Sequence, residues 1–343
     1  MLGSTSRLPA LRTLALYSLA LAFLGIVLWR SRIWDAGNSL SEAGPLTLAI
    51  VPLFSLLAAL PLALREREIL SALGRRFSAW RLAPISYYGN TAGFLTPASS
   101  AEVLRPALFE RSLDVPASQG FAVVLFERLF STFLLGVSAV LAFTWTGVLP
   151  WAVSAALLPL LLAFSLAPLV AYRRVSRLAS RLRPGRLLPG RIRERFSRGL
   201  SESGSALERL WLSPRLAMSF TILSYLTFMA MVLQFWLLVE GMGGGISLWE
   251  AWVVLVVSTV AGVLSGLPLG LGATDAVMVS LLRAYGVDVP SAATIVLLMR
   301  CLINLPTGLL ALLAYLAVLR QRAQRVAPLS PEKVDLVVEQ SPF

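Results

Sequence analysis

Histidine is absent from this chain of 343 residues, and cysteine occurs once, at Cys301. Without histidine there is no His-containing zinc site, no Ser-His-Asp triad and no histidine general base. One cysteine excludes an intramolecular disulfide. Lysine also occurs once, at Lys333, so the chain has no Walker motif and we expect no direct use of ATP. We therefore expect a protein that has no metal, no cofactor and no enzymatic reaction.

Charge is scarce as well, because charged residues make up only 14% of the chain against 57% hydrophobic residues. The mean hydropathy is +0.76, which is too apolar for an ordinary soluble domain. Several apolar runs reach the ~20 residues that cross a hydrocarbon core of ~30 Å. The net charge of +12 lies in loops and tails beside these runs. It therefore indicates membrane orientation and contact with lipid headgroups, not nucleic-acid binding.

The apolar runs predict six membrane-spanning helices, at about 11–29, 44–64, 117–145, 148–172, 216–240 and 289–319. The first run is expected to stay in the mature protein because no small-x-small cleavage site follows it. The positive-inside rule places the arginine-rich segments 65–111 and 173–215 in the cytoplasm, together with both termini. We expect a bacterial inner-membrane protein.

Residues 80–112 and 249–285 each leave and re-enter the same side of the membrane in this topology. Their glycines and prolines predict re-entrant helical hairpins whose turns contain Gly93, Pro97, Gly266, Pro268, Gly270 and Gly272. Each half of the chain then crosses the membrane three times, so the halves have opposite orientations. The sequence thus predicts an all-α polytopic membrane protein with an inverted-topology repeat, comprising residues 1–145, residues 148–320 and a cytoplasmic tail, 321–343.

The two halves also share an order of polar residues. An acid, an Asp-Val-Pro tripeptide and an arginine follow the glycine-containing turn in each half: Glu102, Asp114-Val115-Pro116 and Arg128, and then Asp275, Asp288-Val289-Pro290 and Arg300. Each tripeptide predicts the start of a helix, with Asp as the N-cap and Pro in the first turn. The duplication is typical of transporter folds.

Charges inside membrane segments are costly, and they are therefore the candidate substrate-binding residues. The candidates are Asn90, Glu102, Arg105, Glu127, Arg128, Asp275, Arg300 and Asn304. Two interpretations stay open. Glu102 with Arg105 and Asp275 with Arg283 pair within their hairpins, and Arg300 forms a structural salt bridge to Glu102 or Asp275. Alternatively, the arginines hold an anionic headgroup, because guanidinium binds phosphate bidentately.

Several short motifs carry a family resemblance. They are Gly89-Asn90-Thr91-Ala92-Gly93-Phe94-Leu95-Thr96-Pro97, Ala101-Glu102-Val103-Leu104-Arg105, Glu127-Arg128 and Gly266-Leu267-Pro268-Leu269-Gly270-Leu271-Gly272-Ala273-Thr274-Asp275. In order and spacing, the chain resembles the transmembrane flippase domain of lysylphosphatidylglycerol synthases and its stand-alone relatives. Ala101 stands where that family has Gly, Asp275 where it has Glu, and Leu269-Gly270 where it has a Gly pair. We expect no aminoacyl-transferase domain after the last span, so the resemblance implies lipid translocation without lysylation.

The resemblance implies a lipid translocase for an amphipathic, anionic or polycyclic lipid. A proton- or ion-coupled transporter of a small solute, with Glu102 and Asp275 as titrating groups, is the main alternative. A lipid-modifying enzyme and a scaffold are further alternatives. The expected partners are membrane lipids, a second copy of the chain and a cytoplasmic protein at the loop 173–215, with no nucleic acid.

Overall fold

The computed structural model describes residues 49–54, 59–95, 100–181, 190–267 and 270–304, and isolated residues between 18 and 44 and between 309 and 316. All regular secondary structure in these ranges is helical, with no strand. The prediction of an all-α polytopic membrane protein is confirmed. The division into two inverted repeats stays a prediction.

Ten α-helices and one π-helical turn follow the short helical stretch 49–54 within the described residues. In chain order they are α1 (Ala59–Ala72), α2 (Ala79–Leu95), α3 (Ser100–Leu113), α4 (Ala117–Trp145), α5 (Trp151–Arg181), α6 (Gly190–Trp211), α7 (Pro214–Gly241), α8 (Leu248–Ser265), α9 (Ala273–Ala284) and α10 (Val289–Met299), with the π-helical turn at Arg300–Asn304.

Three of these helices, α4, α7 and α8, are long and apolar enough to cross a membrane, as judged by length and composition. The predicted spans 117–145 and 216–240 coincide with α4 and α7. Helix α8 was expected to be one arm of a re-entrant hairpin. Its 18 residues extend about 27 Å, close to the ~30 Å hydrocarbon thickness. The neighbouring α9, with 12 residues, is much too short to cross alone.

Paired helices occupy both segments that were predicted as hairpins. Helices α2 and α3 contact each other, as do α8 and α9. Helix α2 continues through Gly93, so this glycine lies inside a helix instead of a turn. Gly266, Gly270 and Gly272 all have positive φ and form the second turn, as predicted. Pro97 and Pro268 lie outside the described residues.

The segment 173–215 is more regular than the predicted polar loop. Helix α5 continues to Arg181, nine residues beyond the predicted end of its span, and α6 occupies Gly190–Trp211. Arginine and leucine are both good helix formers, and they dominate this stretch. The arginine-rich connection predicted between the fourth and fifth spans is therefore mostly helical within the described residues.

The two Asp-Val-Pro tripeptides differ in local structure. Asp288 is the N-cap of α10 and accepts a hydrogen bond of 3.0 Å from the backbone N of Ser291. Asp114 has φ +54° and precedes α4 by three residues, and it makes no capping bond because the N-cap is Pro116. Asp tolerates this left-handed conformation, which lets Asp114 close α3. The N-cap prediction is confirmed for Asp288 and wrong for Asp114.

Two groups of buried apolar side chains form the core, and α7 contributes to both. One group contains side chains from α1, α2, α3, α4, α6 and the first half of α7, and it includes Phe126 and Phe220. The other joins the second half of α7 to α8, α9 and α10, and includes Phe235 and Trp252. Helix α4 also contributes to both groups, through Phe126 in the first and Ala139 in the second, so α4 and α7 together connect the packing of the first helices to that of the last.

The turn between α8 and α9 depends on a close approach of backbone to backbone. A Cβ added to Gly270 would lie 2.9 Å from the Cα of Gly262 and 2.3 Å from Oγ1 of Thr274. Gly270 also has φ +60°, where L side chains are strained. Glycine at position 270 therefore lets α9 begin directly against α8.

We expect Gly270→Ala to lower the thermal stability of the purified protein more than Gly266→Ala does. Both positions have positive φ, +60° and +62°, so both variants carry a strain of about 1–2 kcal/mol. Only Gly270 meets neighbouring backbone, since a Cβ at Gly266 has nothing within 4 Å. The overlap should add about 1–3 kcal/mol. Equal melting temperatures of the two variants in detergent would contradict the close approach.

Candidate functional site

Helix α1 carries the first pair of site residues, Arg65 and Glu66. The buried face of α1 consists of Ala63, Glu66, Ile69 and Leu70, spaced three or four residues apart as one side of a helix requires. Glu66 is only 2% exposed. A carboxylate on this apolar face requires partners from other helices.

Those partners come from α2, α3 and α4. Arg105 Nη2 of α3 lies 2.5 Å from Glu66 Oε1 and 2.7 Å from Glu127 Oε2 of α4. Arg65 binds the other oxygen of Glu127, and the hydroxyl of Ser86 in α2 donates to Glu66 Oε2. Two arginines and two glutamates thus form one network, and their formal charges cancel.

Helix α7 closes this network from the remaining side. The guanidinium of Arg65 lies 4.8 Å from the ring centre of Phe220, and its Nη1 is 3.4 Å from Oγ of Ser224. A cation over an aromatic face is stabilised further when it is withdrawn from water. The network therefore joins five helices, α1, α2, α3, α4 and α7.

A second ion pair lies near the end of the described chain. Asp275 Oδ1 accepts from Nε of Arg300 at 3.0 Å and lies 2.8 Å from its Nη2. The other oxygen, Oδ2, accepts from the backbone N of Gly272 at 2.8 Å, at the start of α9. Asp275 therefore holds both the turn before its own helix and the arginine that follows α10.

The two charge sites differ in their access to the surroundings. The side chain of Arg300 is 19% exposed, whereas that of Arg105 is 10% exposed. Asp275, the partner of Arg300, is only 1% exposed. Arg300 is also the first residue of the π-helical turn. Such turns are rare, and they occur frequently at functional sites. Among these arginines, Arg300 is therefore the better placed to meet a ligand.

The predicted site residues fall into three groups. The structure brings Arg105 and Glu127 together, and it pairs Asp275 with Arg300, which was one of the pairings named from the sequence. Arg128 is exposed on α4, and Arg283 is exposed on α9 while Asp275 pairs elsewhere. The side chains of Asn90, Glu102 and Asn304 lie outside the described residues.

Sequence reasoning missed Arg65 and Glu66 as site residues. It counted Arg65 with the cytoplasmic arginines after the second predicted span, and it passed over Glu66. The helical spacing of Ala63, Glu66 and Leu70 was the signal that would have found the glutamate, because it places an acid on an apolar face.

The fold and the sites define an all-helical membrane protein with ion pairs buried among its helices. Residues 13–311 match the family model described as the lysylphosphatidylglycerol synthase TM region. This match covers most of the chain, so the protein belongs to that family. Comparison with curated proteins finds no match.

Glu127→Gln should lower the free energy of unfolding by about 3–5 kcal/mol, because it leaves the cluster of Arg65, Arg105 and Glu66 with a net positive charge away from water. Arg67→Gln is the matched control, since Arg67 lies in α1 beside the network and is exposed. It should change stability by no more than about 0.5 kcal/mol. Reversible unfolding in mixed micelles measures both.

The double variant Arg65→Gln, Glu127→Gln separates charge balance from side-chain shape. It removes one charge of each sign and keeps the pair of Arg105 and Glu66. We expect it to be more stable than Glu127→Gln alone. If adding the second substitution instead lowers stability further, the cancellation of charge is not what stabilises the cluster.

Proposed function

We propose that this protein is a lipid translocase, which moves an amphipathic lipid with an anionic headgroup between the leaflets of a bacterial inner membrane. Its membership of the lysylphosphatidylglycerol synthase TM-region family supports a role with membrane lipids. The single observation that carries the proposal is the Asp275–Arg300 pair, because a half-buried guanidinium in a membrane protein suits a phosphate ligand. Both termini lie in the cytoplasm in this proposal.

Arg300 is the proposed headgroup ligand. Its Nε and Nη2 both contact a single oxygen of Asp275, and its side chain is 19% exposed. A lipid phosphate would compete with Asp275 for these N–H groups and form the bidentate contact that guanidinium favours. Asp275 would keep its bond to Gly272 throughout, so the turn before α9 stays closed while the arginine changes partner.

The network of Arg65, Glu66, Arg105 and Glu127 has a different role in this proposal. Its charges are already matched and more deeply buried than Arg300. It would hold α1, α2, α3, α4 and α7 as one unit. The Asp275–Arg300 side would move relative to that unit, so that the headgroup faces first one leaflet and then the other.

The double variant Arg300→Gln, Asp275→Asn tests the headgroup site. Arg300→Gln alone would leave the buried Asp275 without its cation, and poor folding would then explain a loss of transport. Asparagine removes this charge and still accepts from Gly272 through its carbonyl oxygen. We expect the double variant to fold but not to move lipid. Dithionite quenching of headgroup-labelled phosphatidylglycerol in proteoliposomes measures transport.

Arg283→Gln is the matched control, because Arg283 lies on α9 with Asp275 and is exposed. It should transport at the wild-type rate. Wild-type transport by the double variant would show that Arg300 is not the headgroup ligand. If transport of labelled lipid is absent even from the wild type, but a proton gradient drives uptake of a small solute, the protein is a solute transporter.

A further inference from the structure

Most of the positive charge lies in one part of the chain. Residues 173–215 contain 12 arginines and three acids, so they hold +9 of the net charge of +12. The second half of this stretch is the helix α6, Gly190–Trp211. A solvated surface usually intersperses charges of both signs, and a large field of a single sign is typical of a surface that attracts an oppositely charged partner.

Helix α6 meets the first residues of α4 through its middle residues. Oγ of Ser203 donates to the backbone O of Ser118 at 2.9 Å, and Oγ of Ser118 donates to Glu202 at 2.8 Å. Ser118 is the second residue of α4, a helix about 43 Å long. The other end of α4, at Trp145, contacts Trp249 at a centroid distance of 5.0 Å. The part of α6 that precedes Ser203 therefore lies beyond the start of α4, at the end opposite the contact of Trp145 with Trp249.

Aromatic contacts fix α6 to the bundle. The ring of Trp211 lies 5.7 Å from that of Phe126 and 5.6 Å from that of Phe130, both in α4. Leu207 and Leu210 are fully buried against the same core. The apolar face of α6 is thus occupied by the protein itself, which leaves its polar face for an outside partner.

Helical register places three arginines on that polar face. Glu202 and Arg209 are exposed on α6 and are seven residues apart. Arg195 lies seven residues before Glu202. Arg191 lies four residues before Arg195, and Arg198 lies three residues after it, so all three have positions on the same side of the helix.

We propose that the polar face of α6 binds anionic phospholipid headgroups at the membrane surface. Helix α5 runs from apolar sequence into the arginines that precede α6, and the boundary of the bilayer is expected where the apolar sequence ends. Clustered arginines are attracted to anionic lipids, each by about fivefold in affinity. This inference does not rest on the proposed transport, because it concerns a surface away from Asp275 in sequence and requires no movement of lipid.

Spin-labelled lipids test the proposal in the full-length protein. The protein is reconstituted in phosphatidylcholine bilayers, and the selectivity for spin-labelled phosphatidylglycerol over spin-labelled phosphatidylcholine is measured by the fraction of motionally restricted label. We expect the wild-type protein to associate with phosphatidylglycerol more than with phosphatidylcholine. In 1 M salt this selectivity should fall, because the screening length falls to about 3 Å. The triple variant Arg191→Gln, Arg195→Gln, Arg198→Gln should fall close to equal association of both lipids.

Two further triple variants make the result specific. The first, Arg67→Gln, Arg76→Gln, Arg81→Gln, removes the same charge from exposed positions outside α6 and should keep the selectivity. The second replaces the three α6 arginines by lysine and should also keep it, because the attraction depends on charge. Equal selectivity of the wild type and the glutamine variant of α6 would overturn the proposal and favour an acidic protein as the partner. Loss of selectivity in the lysine variant would also overturn it.

Discussion

A charged side chain among membrane helices requires a partner of opposite charge, and this requirement organises the described structure. The cost of an ionised group in hydrocarbon is at least about 2.5–3.5 kcal/mol, and no water is available there to reduce it. Glu127, in the long apolar helix α4, therefore takes both Arg65 and Arg105. The series of polar contacts continues from Arg105 to Glu66, and from Glu66 to Ser86. Pairing one helix fixes the positions of four others.

The two charge sites place different constraints on the protein. The network around Arg105 is balanced and buried, with hydrogen bonds and an aromatic ring around it. The Asp275–Arg300 pair is simpler, since one carboxylate oxygen serves the arginine and the other serves the turn at Gly272. The arginine of this pair is also more exposed than the arginines of the network, so a ligand can reach it more readily. This difference is why the proposed headgroup ligand is Arg300, and why the proposal gives Arg105 a structural role.

The sequence was sufficient for the class of fold, because hydropathy and the length of apolar runs follow directly from the thickness of the bilayer. It predicted α4 and α7 closely, and it named Asp275 as one partner of Arg300. It did not predict the partners of Arg105, because Glu66 is 39 residues away in the chain. Only the packing of α1 against its neighbours brings the two together.

Local sequence motifs predicted the structure less reliably than the hydropathy and length of the apolar runs did. The same tripeptide, Asp-Val-Pro, caps a helix at Asp288 and ends one at Asp114, because the preceding helix stops at a different distance in each case. The arginine-rich stretch between α5 and α7 was predicted only as a connection between spans, without any helix of its own being named. Most of it is helical, which gives its charges a defined face.

Reconstitution of the wild-type protein with lipid labelled in its headgroup is the decisive test of lipid translocation. Labelled phosphatidylglycerol confined to the inner leaflet is protected from dithionite in liposomes without protein. If the protein translocates anionic lipid, it makes this protected lipid accessible to dithionite. A labelled lipid with a neutral headgroup should cross the bilayer more slowly. The experiment is done with monodisperse protein and with a proton gradient imposed in either direction. If the labelled lipid is then protected as fully as in empty liposomes, the protein is not a lipid translocase.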